Sequence, residues 1–437
     1  MHVCTRSPWP LVWTLYLTGL VAAAQLGKLS ALAPLVAAEL GLGLPTVALA
    51  ISLLEVGGAT LGAAAGLLAQ RLGLRRSLRW GLGALVLGGL GGAAAQGAPG
   101  LLGWRLLEAA GYLGVIVSAP VLIANHSVSP GGSAGRRLQG QALALWSTFV
   151  PVGLALGAWS SASLAGTTGA GLGWRGAIAL GAGVVALLWL AVWRLPMPAA
   201  AEAAVAPPER AGPAPGLVAG QAPIIHPTAA SSAPPGLGAP AWCLALAFGG
   251  FALFEVGLMG LLPSLLVREV GVSAAAAGRW TALASLAAVP GSAAAAWLLR
   301  HGGRLRWPMM LSLGLPAPLL FGVFTAAPVA GVAIALAIAI SVLGGVFASL
   351  AFALLPVVAG SAGRMARVNG LLAQCGASGS LLGPPLMAAC AQAAGWSGAA
   401  WLGLAVTALA LPLAWRAVGW AASEAERAHG QAGHPLA

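Results

Sequence analysis

The sequence contains no aspartate, a single lysine (Lys28) and two tyrosines, and only 7% of its 437 residues are charged. A soluble globular domain carries about 25% charged residues, so a water-facing surface cannot be built from this chain. The absence of Asp removes paired-aspartate chemistry. The six histidines (His2, His126, His226, His301, His429 and His434) fall in loops, termini or span ends, and no H-E-x-x-H occurs. A membrane-embedded enzyme would need such a convergent cluster and finds none. Cys4, Cys243, Cys375 and Cys390 are far apart and form no C-x-x-C, which argues against a disulfide framework or a zinc site. No Walker A sequence is present. Gly171-Leu-Gly173-Trp-Arg-Gly176 matches G-x-G-x-x-G, but no strand precedes it, and a dinucleotide fold requires strand, turn and helix there. No cofactor or metal is therefore expected.

What fills the chain is apolar: 59% of its residues are hydrophobic, 64 are glycine, and the mean hydropathy is +0.91. The useful ruler is the stretch of about 20 apolar residues that crosses a bilayer. Apolar runs predict spans at 10–37, 45–69, 77–97, 101–125, 138–163 and 174–195. A second series follows at 241–266, 275–299, 307–326, 329–357, 366–392 and 396–418. Such Gly- and Ala-rich helices suit close packing in lipid. Arg6, the run from Leu11 to Val21 and Ala22-Ala23-Ala24 imitate a cleaved signal peptide. The apolar stretch continues past Lys28 to Ala38, so it reads as an uncleaved first span.

The expected fold class is an all-α polytopic membrane protein with about twelve transmembrane helices in two pseudo-symmetric six-helix bundles. The bundles comprise residues 1–195 and 241–420. A linker at 196–240, rich in Ala, Pro and Gly, and a tail at 421–437 are both expected in the cytoplasm. The linker lacks helical periodicity and cannot bury a core of its own.

There are 21 Lys plus Arg against nine acids, all Glu. In a soluble protein a pI near 11.4 would raise nucleic-acid binding; here the distribution points elsewhere. With a cytoplasmic N-terminus, sixteen of the 21 fall inside: Arg6, Arg71, Arg75, Arg76, Arg79, Arg136, Arg137, Arg194, Arg210, Arg300, Arg304, Arg306, Arg364, Arg367, Arg416 and Arg427. That asymmetry places both termini in the cytoplasm. Trp9, Trp80, Trp104, Trp174, Trp193, Trp242, Trp307, Trp396 and Trp415 lie near span ends, the level that indoles prefer. The Arg-for-Lys and Ala/Gly bias points to a GC-rich bacterial genome, hence a bacterial inner membrane.

The halves echo each other. Arg71-Leu-Gly-Leu-Arg75 follows the second span as Arg300-His-Gly-Gly-Arg304 follows the eighth, and Gly173-Trp174 opens the sixth as Gly395-Trp396 opens the twelfth. Paired halves of this kind are a feature of secondary transporters.

Gly66, Gln70, Arg71, Gly73, Arg75 and Arg76, between spans two and three, resemble the signature loop of the major facilitator superfamily. Gln70 stands where that family usually has Asp, and Leu74 replaces a common base. The resemblance implies that residue 70 caps a helix end and pairs with Arg in the outward-open state; Gln can hydrogen-bond there without charge. Arg105-Leu-Leu-Glu108-Ala-Ala-Gly111 resembles the family's second signature, with Ala109 where Gly is frequent. Gly27-Lys28, Gly153, Gly157 and Gly173-Trp174-Arg175 are similar to the cyanate- and nitroimidazole-type group. Pro151 is not part of the Gly-Pro arrangement of drug/proton antiporters.

An ionisable group inside a bilayer costs roughly 2.5–3.5 kcal/mol on insertion scales, so each is a functional candidate. These are Lys28, Glu55, Arg105, Glu108, Glu255 and, nearer the surface, Arg279. At about 1.5 Å per residue, Lys28 and Glu55 both lie on the order of 15 Å below the outer surface, which points to a Lys28–Glu55 pair, either a static bridge or a switch. Arg105 and Glu108 share a helix face, either as an intrahelical pair or with Arg105 on the substrate or proton path. Glu255 has no base near it in sequence and would be either a coupling group or a permanently protonated carboxyl. Gln25, Gln141, Trp146 and Gln374 are lesser candidates. The resulting expectation is a monomeric secondary transporter working by alternating access, coupled to H+, for a small solute with an organic anion favoured. A proton-driven drug exporter is the alternative within the class, and a membrane-embedded enzyme or a non-transporting sensor is the alternative outside it.

Overall fold

A computed structural model describes residues 9–127, 142, 145–146, 148–166, 171–195, 237–301, 305–325, 329–359 and 362–432. Arg6, Arg136, Arg137, Gln141, Arg210, Arg304, His2, His226, His434, the linker from 196 to 236 and residues 433–437 lie outside the described residues. So do the side chains of Gln70, Arg71, Arg300, Arg364, Arg427, His126 and His429.

The described chain is helical throughout and follows the expected spans. The first is Trp9–Leu40; the second runs from Leu44–Ser52 through a 3-10 turn, Leu53–Glu55, into Val56–Leu72; the third is Leu74–Ala93 and the fourth Ala98–Ser127. The fifth is described over Phe149–Ala165 and the sixth is Gly173–Arg194. The second series opens with Ala239–Arg268. Among the described residues nine helices are long and apolar enough to cross a membrane. One of these holds two spans, since Ala362–Ala432 is interrupted at Ala394 and Gly395, where Gly395 takes φ 69°. Leu74–Ala93, with three arginines in its first turns, and the 17-residue Phe149–Ala165 complete the twelve.

Three spans are broken, for different reasons. The eighth divides into Ala274–Leu286 and Ala288–Arg300, and the ninth into Arg306–Gly314 and Pro316–Thr325. Leu286 lies four residues before Pro290, and Gly314 four before Pro318. A proline ring clashes with the carbonyl four residues back and offers it no N–H, so each helix ends there. The second span has no proline near its 3-10 turn, and its cause lies in the site described below.

Packing follows the two halves. One buried cluster draws on residues from Ala241 to Ala421, with Leu44 and Ala48 as its members from the first half among the described residues. Two others lie wholly within residues 12–192. Within the first half, spans one and five run against each other without intervening side chains: a Cβ on Gly157 would collide with the backbone of Ala24. Glycine there permits the close approach that substitutes for hydrophobic drive in lipid.

The halves meet toward the end remote from the termini. There the Ser30 hydroxyl donates to the carbonyls of Met259 (2.8 Å) and Gly260 (3.2 Å). Ala31, Ala155, Ala158 and Ala162 pack on Ala282. Nearer mid-depth, Gln374 donates to the Ala59 carbonyl at 3.1 Å. The outward surface is apolar, with Leu187 70% and Leu409 72% exposed, as a lipid-facing wall requires. Trp80, Trp104, Trp193, Trp242, Trp307 and Trp415 are exposed, in keeping with interfacial indoles. Trp174 is instead buried, because it turns inward to a carboxylate.

Candidate functional site

The fourth span presents Arg105, Glu108 and Tyr112 on one face, at spacings of three and four residues. Glu108 sits between two bases: Oε1 accepts from Lys28 Nζ at 2.5 Å and Oε2 from Arg105 Nη1 at 2.5 Å. All three residues are buried. The carboxylate fits because spans three and four cross at glycine: a Cβ on Gly88 would lie 2.5 Å from the Glu108 Cγ.

The sequence expectation of a Lys28–Glu55 pair is thereby corrected. Helix rise gave the depth of each residue but not its angular position, and Lys28 turns toward span four. Glu55 faces span four as well, one turn further along, with Tyr112 as its hydrogen-bond partner. Both groups are at similar depth, yet span four takes each separately.

Arg105 uses four hydrogen bonds. Besides Glu108 it donates to the carbonyls of Ala50 (2.8 Å), Ile51 (3.1 Å) and Gln25 (3.3 Å). In an uninterrupted α-helix the Ala50 and Ile51 carbonyls would accept from the N–H groups of Leu54 and Glu55. The guanidinium occupies them instead, and the helix tightens into the 3-10 turn Leu53–Glu55. A side chain inserted into the ladder is a recognised cause of a helix break. Arg105 thus sets the backbone that carries Glu55.

In the other half Glu255, on the seventh span, is half-buried. Its Oε1 accepts from the Ser341 hydroxyl at 3.1 Å. Oε2 is enclosed without a hydrogen-bond partner. The carboxyl lies over Gly344, where a Cβ would sit 3.2 Å from Oε2. Phenylalanines surround this stretch: Phe251 is 5.0 Å from Phe347 and 5.6 Å from Phe254, centroid to centroid.

The structure does not bring Arg279 to these groups; it is exposed near the start of the eighth span. Trp146 stacks on Phe149 at 4.5 Å, and the Gln25 amide donates to the Val21 carbonyl. Gly73, with φ 86°, makes the turn between spans two and three. Arg75 is half-buried and Arg76 exposed. Sequence reasoning missed Tyr112 and Ser341. Tyr112 had a signal, since it is one of two tyrosines and falls on the Arg105–Glu108 face; Ser341, one hydroxyl among many, had none.

Two further carboxylates form matching braces at the end remote from the termini. The Trp174 indole donates to Glu39 Oε2 at 2.6 Å, and the Trp396 indole donates to Glu269 Oε1 at 2.8 Å. Each joins the end of a half's first helix to the start of its sixth. The first half adds Arg175, whose Nε donates to Glu39 at 2.9 Å and whose Nη1 donates to the carbonyls of Ala93 and Ala95, both at 2.7 Å. Those carbonyls end the third span and lack helical partners.

Among known proteins, the model of the Major Facilitator Superfamily matches residues 15–384. A bacterial homologue of the human lysosomal transporter Spinster, solved inward-facing and unoccupied, superposes with a TM-score of 0.71 at 15% identity, covering 95% of this chain and 98% of its own. A D-xylose-proton symporter gives 0.68 at 16% identity, with coverage of 93% and 97%. The nucleoside transporter NupG, solved as a point mutant, gives 0.67 at 12% identity, with coverage of 94% and 99%. No curated protein matches the sequence.

Proposed function

The chain belongs to the major facilitator superfamily, and from that membership we propose that it is a proton-coupled secondary transporter of a small solute, working by alternating access. The observation that carries proton coupling is Glu255: a carboxyl inside a span, with one oxygen unpartnered and none of the ion pairs among described side chains reaching it. Such a group can gain and lose a proton as water access alternates between the faces. Glu55, held by a neutral phenol, is the matching group in the first half. A D-xylose-proton symporter among the structural relatives is in keeping with this.

The Lys28–Glu108–Arg105 triad keeps one net positive charge, which favours a small organic anion as cargo. The protein would act as a monomer in a bacterial inner membrane, with both termini in the cytoplasm. Contact between the halves at the remote end then corresponds to an outwardly closed, inward-facing state. A second reading rests on the phenylalanines beside Glu255: an acid among aromatic rings suits an apolar organic cation, as a drug exporter would carry.

A thermal-shift screen against small acids, sugars, nucleosides and organic cations identifies the cargo class, since a ligand of the native state raises its stability. Proteoliposomes loaded with the best binder then test coupling. Uptake should respond to an imposed pH gradient in the wild type and lose that response in Glu255→Gln. Equal pH response in both would remove Glu255 from the mechanism.

A further inference from the structure

Each half carries the same tripeptide at the same place: Leu78-Arg79-Trp80 early in the third span and Leu305-Arg306-Trp307 at the start of the ninth. The structure gives both copies the same partner. Arg79 stacks over Trp193 near the end of the sixth span, Cζ to centroid 4.4 Å, and Arg306 stacks over Trp415 in the twelfth at 3.2 Å. In each case the Nε is enclosed without a hydrogen-bond partner. The ion pairs among described side chains all lie elsewhere, so no described carboxylate pairs with either guanidinium. The tryptophan that follows each arginine points outward, Trp80 74% and Trp307 62% exposed.

A guanidinium stacked on an indole has a face covered, and with Nε enclosed its outer Nη edge is what remains to donate to a headgroup. That edge is a fork matched to the oxygens of a phosphate. Exposed indoles beside it belong at the headgroup level of a bilayer. The two sites therefore face lipid at the end of the molecule that holds the termini, not the interior between the halves. From these observations we propose that Arg79/Trp80/Trp193 and Arg306/Trp307/Trp415 are a pair of binding sites for the phosphate headgroup of an anionic phospholipid. Phosphatidylcholine is the poorer occupant, because its choline cation would be brought toward the arginine. The first site, with Arg75 and Arg76 one turn earlier, should bind more tightly. Lipid bridging the third and sixth helices of one half, and the ninth and twelfth of the other, would tie each bundle to the same leaflet.

The test is native mass spectrometry of the full chain released from mixed phosphatidylglycerol/phosphatidylcholine vesicles. Wild type should retain two phosphatidylglycerols; Arg79→Gln and Arg306→Gln should each retain one, and the double variant none. If a glutamine variant fails to fold, Trp80→Ala, a change at an exposed position outside the Arg79–Trp193 stack, should weaken retention at the first site by tenfold or more, while Trp307 stays unchanged because it packs edge-on against Trp415 at 5.9 Å. Inorganic phosphate in excess should not displace the lipid. The proposal falls if the single variants keep both lipids, if phosphatidylcholine is retained equally, or if inorganic phosphate competes the lipid away, which would make these free-anion sites.

Discussion

Arg105 does more structural than ligand chemistry. With four hydrogen bonds to three backbone carbonyls and Glu108, and almost no exposed surface, it holds the break in the second span and with it the position of Glu55. Arg105→Lys keeps the charge but cannot span two carbonyls and a carboxylate in one plane. It should fold, melt at a lower temperature and lose transport, whereas a purely electrostatic role would leave transport largely intact. Glu108→Ala leaves two buried cations facing each other; removing one partner of a buried pair costs about 3–5 kcal/mol, so a large drop in melting temperature is expected, while Glu108→Gln should lose less. Gly88→Ala forces a Cβ onto the Glu108 side chain and should cost about 1–3 kcal/mol as an overpacking change, checked by thermal unfolding in detergent. The identities of these groups were legible in the sequence, because charge inside an apolar run stands out. Their pairing was not. Lys28 and Glu55 share a depth, but which helix each faces depends on rotations that spacing within one span does not encode.

At the scale of elements, span positions were legible because lipid imposes a length and a composition on each helix. The breaks at Leu286 and Gly314 were also encoded, four residues ahead of Pro290 and Pro318. The break at Leu53–Glu55 was not, since its cause is a side chain from another helix. The repeated Gly-Trp at the sixth and twelfth spans marked a real device, the indole-to-Glu brace, although its acid partners could not be read from spacing. The braces differ in strength. Arg175 anchors Glu39 and two carbonyls as well, whereas Glu269 has Trp396 and no such arginine beside it, Ser397 being the next residue. Trp396→Phe should therefore free the end of the seventh span, seen as faster amide exchange at 266–272, while Trp174→Phe should leave residues 37–42 nearly as protected as before. Equal loosening in the two halves would contradict this account of Arg175.

For the whole molecule, two separately packed halves touch at the end remote from the termini, and each carries an acid that no described base neutralises. Alternating access requires those contacts to open as the opposite end closes, and proton coupling requires the exchange to follow the state of Glu255. Distances between spin labels at Ala38 and Arg268, at the closed end, and at Arg76 and Arg367, near the other end, measure this without knowledge of the cargo. As the pH is taken from mildly alkaline to mildly acidic, the two distance distributions should shift in opposite directions, and Glu255→Gln should remove the shift. Distributions that stay fixed across pH, or that move together, would contradict proton-coupled alternating access.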